Sequence, residues 1–113
     1  MIYFIDFDNT ICPNGDEGIP PTNECRAFIT RLLKENHSVV IYSCRSNPAC
    51  VNDSHAATDA MRLYLAKHHV AYTRIEMNKP YFNYYIDDRN MGTPLDKRGN
   101  VDWAEITKLY EKR

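Results

Sequence analysis

The sequence predicts an α/β fold: a single Rossmann-like domain over residues 1–113, with a mostly parallel sheet flanked by helices. Two observations support this prediction. Apolar segments typical of buried strands alternate with amphipathic segments of helical period, in the order β-α-β-α-β-β-α. The chain has 113 residues, 43% hydrophobic and 26% charged, which suits one ordinary globular core and leaves no room for a second domain.

The first half of the chain contains two predicted strands separated by a helix. Residues 2–7, "IYFIDF", are aromatic and β-branched enough to form a strand buried on both faces. Thr22 is the predicted N-cap of a helix whose apolar stripe comprises Cys25, Phe28, Ile29, Leu32 and Leu33. Residues 38–44, "SVVIYSC", form the second buried strand.

The second half of the chain contains two further helices and two further strands. Residues 54 to about 69 form a predicted helix capped by Ser54, and one face of it carries Ala57, Met61, Tyr64, Leu65 and His68. A short third strand lies near "VAYTRIE", and "FNYYI", residues 82–86, is the fourth. Asp102 has the position of a cap before a final helix, whose shared face carries Trp103, Ile106 and Tyr110.

Composition excludes several functional classes. The formal net charge of −1 lacks the basic bias of phosphate-backbone binding, so nucleic acid is expected only as a substrate. We expect a cytoplasmic protein without membrane insertion, because no apolar run approaches membrane-spanning length and the N-terminus lacks signal-peptide character. The four cysteines show no zinc-site spacing and are expected to be reduced thiols; whether Cys12 or Cys44 is redox-active stays open.

Polar residues cluster at the predicted carboxyl ends of the strands, where ligands bind in sheets of this kind. Those that follow a predicted strand are Asp6, Asp8, Asn9, Thr10, Ser43, Arg45, Asp87, Asp88, Arg89 and Asn90, and Lys79 precedes the fourth strand at the same edge. Carboxylates crowded at one edge repel one another unless a cation or protons intervene, and an all-oxygen ligand set suits Mg²⁺. A metal beside an aspartate, a lysine and a hydroxyl favours phosphoryl transfer as the reaction class.

Four motifs in order resemble the haloacid dehalogenase (HAD) superfamily, most of whose members are Mg²⁺-dependent phosphatases acting through an aspartyl-phosphate. "DFDNT" resembles its Asp-x-Asp-x-Thr signature, Ser43 its second motif, Lys79 its third and "IDDRN" its fourth. The resemblance spans residues 4–90. It implies a phosphomonoester hydrolase with a HAD-like core.

The resemblance also implies a role for each matched residue. Asp6 would be the nucleophile and Asp8 the general acid and base. Ser43 and Lys79 would hold the transferring phosphoryl oxygens, and Asn9 would contribute near the phosphate. The implied Mg²⁺ ligands are the carboxylates of Asp6 and Asp87 and the backbone carbonyl of Asp8, with Asp88 acting through water or in the surrounding shell.

Two features bear on the substrate. Arg45 follows Ser43 and is expected either to bind a second phosphate or carboxylate of the substrate or to form an ordinary surface ion pair. The intervals where HAD proteins insert cap domains, residues 11–21 and roughly 76–78, are short, so a capless form is expected. An open site of this kind admits a sugar phosphate or a macromolecule end, or uses a neighbour in a homo-oligomer as its lid.

Other functions compete with hydrolysis. The main alternative is a catalytically inactive HAD-fold adaptor or phosphate-binding module. A phospho-receiver is disfavoured because its phosphorylated aspartate ends the third strand, where "YTRIE" has none. A phosphomutase would need a cap to exclude water. The four histidines are interpreted as surface or helix-face residues, because none has a carboxylate or a cysteine at ligand spacing.

Overall fold

The chain divides into two compact units in the computed structural model, which describes residues 1–112. The first comprises Met1–Tyr81, and the second begins at Phe82. Among residues 1–112, no helix combines the length and the apolar character that crossing a bilayer requires.

The first unit is an α/β layer structure with three parallel strands. Its elements are β1 (Ile2–Ile5), α1 (Asn23–Lys34), β2 (Ser38–Tyr42), α2 (Ser54–Lys67) and β3 (Arg74–Glu76). The sheet order is β1-β2-β3, and both pairings are parallel. The predicted fold class, an α/β fold with a parallel sheet flanked by helices, is therefore confirmed.

Helix α1 follows the sequence prediction closely. The hydroxyl oxygen of Thr22 accepts a hydrogen bond from the backbone N–H of Cys25 at 3.1 Å, which satisfies one of the free donors of the first turn. Ile29 and Leu32 are buried, whereas Phe28 is 46% exposed and lies at the border of the apolar stripe. Asn36 takes a positive φ of 65° after the helix, which lets the chain turn into β2.

Helix α2 has a different cap from the predicted one. Asp53 is the N-cap, and its carboxylate accepts a hydrogen bond from the backbone N–H of Ala56 at 3.0 Å. Ser54 is the first helical residue, so its prediction as the cap is wrong by one position. Both residue types cap helices well, and only the backbone conformation decides which of two neighbours does so.

Strand β1 is shorter and more exposed than predicted. It ends at Ile5 rather than at residue 7, and Ile2 and Phe4 are 65% and 50% exposed. Tyr3 and Ile5 pack against the core, so burial alternates along the strand. The prediction of a strand buried on both faces is wrong, because an apolar sequence does not reveal whether a second layer covers its other face.

The core of the first unit is built from both helices, β2 and the loop that follows β1. Its fully buried hydrophobic members include Phe7, Ile11, Val39, Ile41, Met61 and Leu65. Phe7 and Tyr64 meet edge to face, with ring centroids 5.2 Å apart. This cluster fixes the β1 loop against α2.

The second unit contains α3 (Trp103–Glu111) and an isolated bridge between Leu95 and Val101. Asp102 caps α3 as predicted, since its carboxylate accepts from the backbone N–H of Glu105 at 3.1 Å. Residues 82–86 are not a strand, so the fourth predicted strand is wrong. A run of aromatic residues has a high β propensity, but a strand exists only where a neighbour supplies a hydrogen-bonding ladder.

Candidate active site at the carboxyl ends of the strands

A tight loop after β1 carries Asp6 and Asp8, which flank the buried residue Phe7. Phe7 is fully buried, and its carbonyl oxygen accepts hydrogen bonds from the backbone N–H groups of Thr10, Ile11 and Cys12. The side chains of Asp6 and Asp8 keep 40% and 36% exposure. The loop therefore holds two carboxylates at the surface on a backbone that is fixed by the core.

Asn9 contributes to this loop through its backbone. Its φ of 61° lies in the left-handed region, where asparagine is better tolerated than most residues. Its N–H donates to the carbonyl oxygen of Cys12 at 2.9 Å, which closes the turn. The predicted phosphate contact of Asn9 stays a prediction.

Asp6 is paired with the predicted lysine. The ammonium Nζ of Lys79 lies 3.2 Å from Oδ1 of Asp6, and the backbone N–H of Phe7 donates to the same oxygen at 2.8 Å. The Lys79 side chain is only 13% exposed, and its ammonium lies 5.6 Å from the ring centroid of Tyr42. Two residues 73 positions apart in the sequence thus meet beyond the strands, as the motif order predicts.

Asp8 is held by Arg45. The guanidinium contacts both carboxylate oxygens of Asp8, with Nη2 2.8 Å from Oδ1 and Nε 3.0 Å from Oδ2. Its remaining nitrogen, Nη1, lies 2.5 Å from Oε2 of Glu17. The guanidinium also stacks over the Phe7 ring at 4.8 Å, and the hydrogen bonds to Asp8 are the main reason that the pKa of Arg45 is raised above its usual value. Arg45 is therefore a largely buried cation that joins two acids.

Ser43 stabilises the backbone of Arg45 through a hydrogen bond. It is almost completely buried, and its hydroxyl oxygen accepts the backbone N–H of Arg45 at 3.2 Å at the start of a short 3₁₀ turn, Cys44–Ser46. Thr58, on α2, donates its hydroxyl to the backbone carbonyl of Arg45 at 3.3 Å. The backbone of Arg45 is thus tied both to the end of β2 and to α2.

The segment after β2 also fixes the backbone of Lys79. Asn47 donates from Nδ2 to the carbonyl oxygen of Lys79 at 2.9 Å, and the Cys50 thiol donates to the same oxygen at 3.6 Å. The Cys44 thiol donates to the next carbonyl, that of Pro80, at 3.6 Å. These contacts position the loop that carries the site lysine, and burial is the first cause of the raised pKa of Cys44.

Two residues of this site were not predicted from the sequence. Glu17 lies in a loop rich in Gly and Pro and reaches Arg45 across 28 positions, so no local pattern indicates it. Asn47 precedes Pro48 in the turn-like "RSNP", which signals a turn but not the contact with Lys79.

Asp87 and Asp88 belong to the second unit. Asp87 accepts hydrogen bonds from the Tyr85 hydroxyl at 2.7 Å and from the backbone N–H of Arg89 at 3.0 Å. The hydrogen bond between Asp88 and Asp87 is the largest cause that lowers the pKa of Asp87 to about 2, and the Arg89 N–H and the Tyr85 hydroxyl contribute less. The same hydrogen bond raises the pKa of Asp88. The two carboxyl groups interact directly, and Asp87 is the more acidic of the pair.

The donor set fits the predicted metal in chemical type. The carboxylates of Asp6, Asp87 and Asp88 and the backbone carbonyl of Asp8 are all oxygen donors, which hard divalent cations prefer. Within residues 1–81, and again within residues 82–112, no three His, Cys, Asp or Glu side chains are grouped as a metal site.

Comparison with known proteins adds evidence on the fold. No family model matches the chain, and no curated protein matches it. The crystal structure of an MCSG target from Vibrio cholerae is similar to it, with a TM-score of 0.66 and 22% sequence identity over 98% of this chain and 97% of that one. At this level of identity the similarity supports the fold alone.

Proposed function

We propose that this protein is a Mg²⁺-dependent phosphomonoester hydrolase of the HAD type, without a cap domain, that acts through an aspartyl-phosphate on Asp6. The observation that carries the proposal is the 3.2 Å contact between Lys79 and Asp6 in the loops beyond the carboxyl ends of the strands. A carboxylate nucleophile needs a fixed position and a cation close enough to stabilise the oxygens of the phosphoryl group that it attacks. Lys79 and Asp6 meet both requirements.

The roles proposed for the other residues are those that the HAD resemblance implies. Asp8, two residues beyond Asp6, would protonate the leaving oxygen and later take a proton from the attacking water. Ser43 lies at the end of β2, its hydroxyl oxygen accepts the Arg45 N–H, and its hydroxyl hydrogen is the proposed donor to a phosphoryl oxygen. Asn9 lies next to Asp8 in the same tight loop.

Mg²⁺ is the proposed cofactor. Asp6, the backbone carbonyl of Asp8, Asp87 and Asp88 are its proposed ligands, and a bound divalent cation would neutralise part of the charge that develops on the phosphoryl oxygens. The short intervals in place of caps leave the substrate class broad: a phosphorylated small molecule such as a sugar phosphate, or a phosphorylated macromolecule end, in the cytoplasm.

The test is hydrolysis of p-nitrophenyl phosphate by the purified protein. We expect turnover with Mg²⁺, none after chelation by EDTA, and loss of at least about a thousandfold in Asp6→Asn, because the amide is not a nucleophile. Asp59→Asn, an exposed change on α2 that removes the same charge, is the matched control and should retain activity. Turnover that survives Asp6→Asn would exclude the proposed nucleophile, and absence of turnover with any phosphate ester would exclude the hydrolase.

A second candidate function is supported by one observation. The Arg45 guanidinium occupies both carboxylate oxygens of Asp8, the atoms that would have to exchange a proton. If this contact persists when phosphate binds, the protein is a phosphate-binding module or adaptor rather than a hydrolase. Binding of inorganic phosphate that is measurable by calorimetry, together with no turnover of any ester, would favour this candidate.

A further inference from the structure

Arg45 carries more negative charge around it than one guanidinium can neutralise. Its three nitrogens are shared between the carboxylates of Asp8 and Glu17. With Asp6 and Lys79 included, three carboxylates face two cations, which leaves one excess negative charge. In the absence of a bound cation this excess charge repels a phosphate ester, itself an anion, and the repulsion falls when one carboxylate moves away.

The two carboxylates on Arg45 are held unequally. Asp8 lies in the loop that the Phe7 carbonyl closes, and its carboxylate contacts two nitrogens of Arg45. Glu17 makes one contact with Arg45, and its side chain is 46% exposed. Glu17 is therefore the partner that can leave for water at little cost.

Arg45 itself is the fixed member of this group. Its side chain is 13% exposed and stacks over the buried Phe7 ring, and its backbone is bonded to Ser43 and Thr58. When Glu17 leaves, Nη1 of Arg45 is a positioned donor that has lost its carboxylate partner. A buried, pre-oriented guanidinium of this kind recognises a carboxylate or a phosphate.

We propose that Arg45 is an anion subsite for the leaving-group side of the substrate, and that Glu17 is its built-in competitor. The preferred substrates are then phosphomonoesters that carry a second oxyanion, which replaces Glu17 on Arg45. A substrate with an uncharged leaving group has nothing to exchange for Glu17 and gains nothing from Arg45. The assignment of Arg45 to substrate binding rests on the proposed hydrolase function. Anion binding at Arg45 is testable by binding measurements alone.

The first test uses non-hydrolysable probes that differ in one group. Phenylphosphonate, 4-carboxyphenylphosphonate and 1,4-phenylenediphosphonate are titrated into the protein by calorimetry in the presence of Mg²⁺. We expect Glu17→Gln to tighten binding of the two probes with a second anion about two- to fivefold more than it tightens phenylphosphonate, the range for a partly exposed ion pair. The carboxylate and diphosphonate arms reveal which oxyanion Arg45 prefers.

The matched control is Glu24→Gln, which removes the same charge from the exposed first turn of α1. It should leave the ratio between the probes unchanged. Equal tightening of all three probes in Glu17→Gln would show a general charge effect, and no tightening would show that Glu17 does not compete; either result overturns the proposal.

The hydrolysis arm separates this inference from the proposed function. Phenyl phosphate and 4-carboxyphenyl phosphate are compared, and Glu17→Gln is expected to lower KM for the carboxylated ester by the same two- to fivefold relative to phenyl phosphate. If the probes bind as expected but no ester is hydrolysed, the anion subsite stands and the hydrolase falls. If both esters are hydrolysed with an unchanged KM ratio in Glu17→Gln, the hydrolase stands and the subsite falls.

Discussion

Phe7 is the residue whose replacement tests the architecture of the site most directly, because it separates Asp6 from Asp8 and is fully buried. We consider Phe7→Leu, which keeps an apolar side chain in the core. The change removes an edge-to-face contact with Tyr64 at 5.2 Å and the stacking of Arg45 at 4.8 Å. Both losses act on the loop that carries the two acids.

The magnitude follows from these contacts. The aromatic pair is worth about 1 kcal/mol beyond its burial, and the contact of the ring with Arg45 adds about 0.5–1 kcal/mol. Imperfect repacking of a smaller, differently shaped side chain costs about 1 kcal/mol more. We therefore expect the free energy of unfolding to fall by about 2.5 to 3 kcal/mol, a large share of the stability of a small domain.

The assay is urea unfolding followed by circular dichroism. Phe7→Leu should lower the midpoint while the denaturant slope stays constant, since the surface exposed on unfolding barely changes. Phe28→Leu is the matched control, because Phe28 is 46% exposed and its replacement should change the free energy of unfolding by no more than about 0.5 kcal/mol. A double-mutant cycle with Tyr64→Leu should give a coupling energy of about 0.5–1.5 kcal/mol between the two rings.

A loss below about 0.5 kcal/mol in Phe7→Leu would refute this reasoning. It would mean that the ring is not anchored by its neighbours, and that the backbone beneath Asp6 and Asp8 is not fixed by the core. A coupling energy near zero between Phe7 and Tyr64, together with a large loss of unfolding free energy in Phe7→Leu, would instead mean that Phe7 stabilises the protein through burial alone.

Two further predictions concern the support of the site. Asn47→Ala removes the donor to the Lys79 carbonyl and should lower the free energy of unfolding by about 1 kcal/mol and kcat/KM about fivefold, whereas Asn52→Ala, an exposed neighbour, should change neither. Mainly through burial, the pKa of Tyr64 is raised to about 12 in the folded protein, while tyrosines of the unfolded chain ionise near pH 10. The folded state holds this proton more tightly, so the resulting stability is fully present below about pH 10 and is lost as the pH rises towards 12. Unfolding curves of the wild type and Tyr64→Phe should therefore converge over that interval, and a difference that stays constant would contradict the assignment.

Much of the fold could be predicted because it depends on neighbours in the sequence. A helix is specified by apolar residues three and four positions apart and by a cap within its first turn, and Thr22 and Asp102 act as the sequence predicts. The alternation of strands and helices was sufficient to predict a parallel sheet. The order of the HAD-like motifs predicted Asp6 and Lys79 at one edge of the sheet, and the structure pairs them.

The two incorrect strand predictions share one cause. Burial of a strand depends on what packs on it, so the apolar run of β1 gave no sign that Ile2 and Phe4 would stay exposed. The aromatic segment at residues 82–86 has the composition of a strand but forms none, since a ladder needs a partner strand.

The sequence by itself determined which residues could do chemistry, since the type and order of acids, lysine and hydroxyl are written in it. Only the tertiary structure decided which of these side chains contact one another. Arg45 contacts Asp8 at a sequence separation of 37 residues, Glu17 contacts Arg45 at 28, and Asn47 contacts Lys79 at 32. Contacts at such separations depend on how loops approach one another after the strands have packed. Local periodicity carries no information about that approach, because it ends where the regular elements end.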